Sequence, residues 1–219
     1  MTVQSIDSNP SEPQSRRWVD QRWLLDNVIG TVGVDWDQPR SLYFNGACGI
    51  EANADFALIR QGVKKWADIG PSFEAAARRR QAKALAAEEA GALVTARDNY
   101  FMAAIHWGAA QWPHHAVNAA NVACNKAKRE CYTAYARLAA HKIEAVWIPF
   151  GDGKIPAWFH LPPGYSGGRI PLVVSFPGLD TFKEIFVSLS NDRWLSRGMA
   201  VLAVDGPGQS ESRILGHKF

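Results

Sequence analysis

The turn Phe176-Pro177-Gly178-Leu179-Asp180 ends an apolar run and is followed by polar residues. Backbone N–H groups in such a turn can stabilise the oxyanion of an acyl-transfer intermediate, and Gly178 would let the main chain approach a substrate closely. The competing reading is an ordinary strand-to-helix turn with Asp180 as N-cap. The side chains of Asp180, Lys183 and Glu184 fit loop-holding and capping better than action on substrate. A second turn, Asp205-Gly206-Pro207-Gly208-Gln209, follows another apolar run. Asp205 reads there as tying down the turn rather than as a catalyst. The segment Gly164-Tyr165-Ser166-Gly167-Gly168 matches G-x-S-x-G literally. A nucleophile elbow needs a strand before it and a helix after it. This match follows Pro162-Pro163 and precedes the run at Ile170, so Ser166 is rejected as a nucleophile.

His114-His115 with Cys124 and Cys131 could suggest a metal site, but no CxxC or HxxxH spacing supports one. The two cysteines are seven positions apart on one helix face and read as buried thiols. No metal and no organic cofactor is implied. Tyr100, His106, Trp107 and Trp112 form an aromatic set at helical spacing, which is either core or the lining of a pocket. Tyr100 and Trp107, with Asp180, are the candidate pocket residues.

Several elements must position these groups. The runs at 171–176 and 199–204 are continuous rather than alternating, as expected of parallel strands covered on both faces. The stretch 181–197 between them reads as a helix stopped by Gly198. Strand, turn, helix, strand, turn is the crossover of an α/β sheet, whose sites lie beyond the carboxyl ends of the strands. Upstream, 142–150 and 155–161 are strand-like and flank Gly151-Asp152-Gly153, a hairpin turn. The first 140 residues read as helical, with helices expected at 18–29, 55–67, from 71 to about 90, 95–111 and 117–140. Residues 31–54 are rich in Gly, Asp and Asn and read as a long loop with aromatic anchors. Residues 1–14 are rich in Ser, Pro and Gln and read as a disordered tail. The expected organisation is therefore a tail at 1–14, a helical unit at 15–140 and an α/β unit at 141–219.

The segments VVSFPGLDTFKE and RGMAVLAVDGPGQSES resemble the α/β-hydrolase superfamily. More narrowly, they resemble its branch with a helical N-terminal domain, which includes 2,6-dihydroxypseudooxynicotine hydrolase and the fungal polyketide-shortening hydrolases. That branch carries G-G-[LM]-D-x-x-K-E and D-G-P-G-Q-G-E turns. Pro177 stands here for the first Gly of one, and Ser210 for the last Gly of the other. The resemblance implies that Gly178 and Leu179 supply oxyanion-hole backbone, with Leu179 the donor. It also implies a small-molecule substrate whose ester, or whose carbon–carbon bond beside a ketone, is cleaved by a Ser-His-Asp triad. It allows a homodimer formed through the helices.

The triad serine, acid and histidine would follow in that chain order, and the sequence ends at Phe219. The expectation is thus the N-terminal part of a longer hydrolase, inactive by itself, ending before the nucleophile elbow. An apolar sheet edge would then lie exposed at the strand 199–204. The alternative is a non-catalytic helical interaction, dimerisation or regulatory module of the same superfamily. The chain has 219 residues, 47% of them hydrophobic, and a net charge of +3. These values suit a soluble globular protein and, with no basic stripe, argue against a nucleic-acid partner. No apolar run suits a membrane span or a secretory signal, and three unpaired cysteines fit a cytoplasmic protein.

Overall fold

The computed structural model describes residues 16–218 except 179 and 191, with side chains from 21 onward. The expected tail at 1–14 lies outside these residues. Six helices come first: α1 (Arg16–Val32), α2 (Gln38–Cys48), α3 (Asn53–Gly62), α4 (Ile69–Glu89), α5 (Leu93–Ala110) and α6 (Ala119–Leu138). Strands β1 (Ile143–Phe150), β2 (Gly153–His160), β3 (Leu172–Ser175) and β4 (Ala200–Val204) follow, with the short helices α7 (Phe186–Leu189) and α8 (Ser210–Ile214) after β3 and β4.

α5 is the central helix. Its first turn is exposed, but from Met102 to Ala110 it is buried continuously, with the small residues Ala103, Ala104, Gly108, Ala109 and Ala110 in that stretch. α4 meets it through Ala76, Ala77 and Ala84, and small side chains let helix axes approach closely. α6 packs on its other side and has its own local stop and start signals. Asn118 caps its first turn by accepting the Asn121 N–H at 2.8 Å. One face of α6 carries Cys124, Lys128, Cys131 and Tyr132, all buried. Tyr132 reaches Trp158 of β2 with ring centroids 4.8 Å apart, so α6 is the layer between α5 and the sheet. The main apolar core runs from the helices to Trp158, Phe182 and Ile185.

The sheet order is β1-β2-β4-β3, with β1 antiparallel to β2, β2 antiparallel to β4 and β3 parallel to β4. This is a helical layer leading into a mixed four-stranded sheet. The hairpin and the parallel pair fall where the apolar runs place them. Other expectations need correction. Residues 31–54 contain the helix α2, because Asp37 accepts the Arg40 N–H at 3.2 Å and Pro39 sits in the first turn. These caps overcome the poor helix propensity of Gly and Asn. The single helix expected at 181–197 is instead 3-10 turns at Lys183–Ile185 and Leu195–Arg197 flanking the four-residue α7. The strand at 199–204 is not the edge: β4 lies between β2 and β3. The edge strands are β1 and β3, and in β3 Leu172 and Val174 are half exposed rather than covered on both faces.

Candidate active site

The turns after β3 and β4 lie side by side because their strands are parallel neighbours. Gln209 clamps them together. Its side-chain oxygen accepts the Gly206 N–H at 2.8 Å. Its amide nitrogen donates to the Pro177 carbonyl and reaches that of Gly178 at 3.5 Å. A Cβ at position 178 would stand 3.0 Å from Asp180 Oδ1, so the tightness of this turn favours glycine there.

Beneath the turns is a buried ion cluster. Lys183 donates its backbone N–H to Asp205 Oδ1 at 2.8 Å and its ammonium to Asp205 Oδ2 at 3.0 Å. The same ammonium meets Glu211 Oε2 at 2.6 Å and Glu184 Oε1 at 2.9 Å. From α6, Lys128 pairs with Glu184 Oε2 at 3.3 Å and donates to Ser210 Oγ at 2.8 Å, while Arg129 meets Glu211 Oε1 at 2.9 Å. Trp158 donates its indole N–H to Glu184 Oε1 at 3.0 Å. Three cations thus face three carboxylates, so the cluster is neutral although its core is buried. Burial opposes the Lys183 charge, but the surrounding Asp205, Glu184 and Glu211 carboxylates raise its pKa further. Burial likewise works against the Glu184 carboxylate, and Lys128 and Lys183 overcome it and hold its pKa low. Asp205 is pushed up by burial, more than Lys183 and Lys128 draw it down.

Phe182 fastens the first turn to the helical layer. Its ring lies over Gly108 of α5, where a Cβ would come within 2.2 Å of it. It stacks on Phe44 of α2 at 6.0 Å, and the Lys128 ammonium stands 4.9 Å from its centre. Between helices and turns is a cavity of about 140 Å³ walled by Arg40, Phe44, Gln111, Trp112, Asp180, Phe182, Gln209 and Arg213. The arrangement offers an aromatic wall, a few polar groups and an adjoining turn of backbone amides, as small-molecule sites commonly do.

Of the residues singled out in the sequence, Asp180 lines this cavity, and Gly178 sits in the clamped turn beside it. Leu179 lies outside the described residues. Tyr100 packs with Ala84 and Ala96 and donates to Glu88 at 2.8 Å; Trp107 donates to Gln81 at 3.1 Å. Neither is brought to the cavity. Trp112, from the same aromatic set, is. Ser166 is exposed in the connection between β2 and β3, with no helix after it. Cys124 and Cys131 are buried free thiols, and burial pushes both up to about 12. His160 is buried, with His141 at 2.9 Å and the Tyr132 hydroxyl at 3.4 Å from its ring nitrogens. Sequence reasoning missed Lys128, Gln209 and Arg213. A signal for Lys128 existed: it shares a helix face with Cys124, Cys131 and Tyr132, and a lysine on an apolar face needs a buried counter-ion. Among the described residues no helix is long and apolar enough to cross a membrane.

Comparison with known proteins agrees with this geometry. Residues 68–214 match the family described as FrsA-like, Esterase FrsA-like. The alpha/beta hydrolase ucsC of Acremonium sp is 32% identical over 151 residues, covering 63% of this chain and 31% of that protein. The esterase FrsA of Photobacterium profundum is 23% identical over 210 residues, covering 96% of this chain and 41% of that protein. The crystal structure of 2,6-dihydroxy-pseudo-oxynicotine hydrolase superposes with a TM-score of 0.60 at 23% identity, over 78% of this chain and 46% of that one. The chain therefore spans about a third to two fifths of the length of these curated relatives.

Proposed function

The chain belongs to the FrsA-like esterase family of α/β-hydrolases, and from that premise we propose that it forms the substrate-facing half of an acyl-cleaving site. In this reading the helices of 15–140 cover the cavity and the strands and turns of 141–219 floor it. The turn at Gly178 and Leu179 supplies backbone N–H groups to the oxyanion that forms when a nucleophile attacks a carbonyl. A preorganised donor of that kind is worth on the order of a hundredfold or more in rate. The substrate is a small molecule with an ester, or with a carbon–carbon bond next to a ketone. Both give the same tetrahedral oxyanion and differ only in the leaving group. The nucleophile and its histidine are not assigned to any residue of this chain.

The observation that carries the proposal is the clamp. Gln209 and the Lys183 cluster fix the turn after β3 against the turn after β4, directly under the helical wall. A part-buried clamp and a buried ion cluster together hold the turn in one geometry, as a preorganised donor requires. The test is to purify the protein from its natural source and assay it with 4-nitrophenyl butyrate and with benzoylacetone. Release of 4-nitrophenolate, or of benzoate or acetate from the diketone, is expected. Cleavage of neither probe would overturn the proposal.

A further inference from the structure

Arg213 lines the cavity from α8 and is half-buried, yet among the described residues its guanidinium has no ion-pair or hydrogen-bond partner. The cations around it are all engaged. Arg40 is bound to Asp37 and lies over the Trp112 ring at 5.1 Å, while Lys128, Arg129 and Lys183 belong to the neutral cluster below. A half-buried guanidinium on a cavity wall has lost part of its hydration and gains most from a planar, bidentate oxyanion. Phe44, Trp112 and Phe182 line the same cavity. The buried Gln111 Oε1 and Trp112 Nε1 have no partner among the described residues either. The carboxylate on the wall is that of Asp180, at the clamped turn. It would repel an anion there and so directs the anionic end toward Arg213.

We propose that the cavity binds a small aromatic anion, an aryl carboxylate, with its carboxylate oxygens on Arg213 and its ring against Phe44, Trp112 and Phe182. This rests on the cavity being the substrate pocket and adds the substrate's class: an aryl compound carrying an ionised acidic group.

The test is equilibrium binding to the full 219-residue chain, followed by tryptophan fluorescence and calorimetry. The probes are sodium benzoate and benzamide, which share a shape and differ in charge. Benzoate should bind saturably and at least about tenfold more tightly than benzamide. Arg213→Gln should abolish that preference, and Arg213→Lys should keep part of it, because the lysine ammonium retains the charge without the fork. The Arg213 side chain makes no bond among the described residues, so both variants should unfold at the wild-type temperature. Equal binding of the two probes, or a preference that survives in Arg213→Gln, would overturn the anion assignment and leave the pocket intact. No saturable binding of either probe would overturn the pocket reading as well.

Discussion

Two buried ion networks brace this molecule, and they differ in what they join. In the helical layer, Arg80 of α4 donates to Asp55 of α3 at 2.5 Å, to Asn99 of α5 at 3.1 Å and to the Glu51 carbonyl at 2.6 Å, and His106 stands 3.4 Å from the same Asp55. Burial works against the Asp55 charge, and His106 and Arg80 outweigh it and keep its pKa below the usual range. This network ties helices to helices. The second network, around Lys183, ties α6 to both turns of the candidate site and contains three carboxylates rather than one. A single carboxylate can be satisfied by one well-placed arginine. Three carboxylates converging under two loops need a buried lysine at their centre, and such an arrangement is costly unless every member is present.

That difference sets the order of the expected effects. Lys183→Met leaves Asp205, Glu184 and Glu211 with only the outer cations, and should cost about 3–5 kcal/mol in urea unfolding. Arg80→Met should cost less, about 2 kcal/mol, because Arg79 remains 3.7 Å from Asp55 and half exposed. Equal losses in the two variants would erase the distinction between the networks.

Acidification probes the buried histidines, His106 of the helical network and His160 of β2, which belongs to neither network. Burial lowers the pKa of His106 and takes that of His160, with a further push from His141, down to about 3 against an ordinary 6.5. Unfolding lets these rings take up protons, so the stability they contribute at neutral pH is lost as pH falls from 6.5 toward the folded values. At pH 5 the His160 share is about 2 kcal/mol. The Glu184 carboxylate, held low by its lysines, gives stability that is lost only as pH falls below its ordinary 4.5. Stability measured from pH 7 to pH 5 should therefore fall in the wild type and fall less in His160→Gln. The same slope in both proteins would remove His160 from this account.

Much of this fold is legible in the sequence. The Ala-rich helices, the hairpin at Gly151-Asp152-Gly153 and the two apolar runs after it carry their periods openly. The stretch containing α2 does not, because its helix depends on a cap at Asp37 and on burial of Phe44 rather than on composition. The break in the expected helix at 181–197 is set by tertiary contacts: Phe182 must reach Gly108, and Lys183 must reach Asp205. The site shows the same division. Gly178 and Asp180 announce a turn locally. The roles of Lys128, Gln209 and Arg213 arise only when α6, β3 and β4 are brought together, and no local pattern records a pairing between residues 82 positions apart such as Lys128 and Ser210.

The clamp on the turn after β3 is the central claim, and Gln209→Ala in the protein purified from its source tests it most directly. The substitution removes a surface-side hydrogen-bonding group and should lower stability by only about 1 kcal/mol. With 4-nitrophenyl butyrate or benzoylacetone, kcat should fall by about tenfold to a hundredfold while KM changes little, as expected when a transition-state donor is misplaced. An unchanged kcat, or a rise in KM alone, would contradict the account.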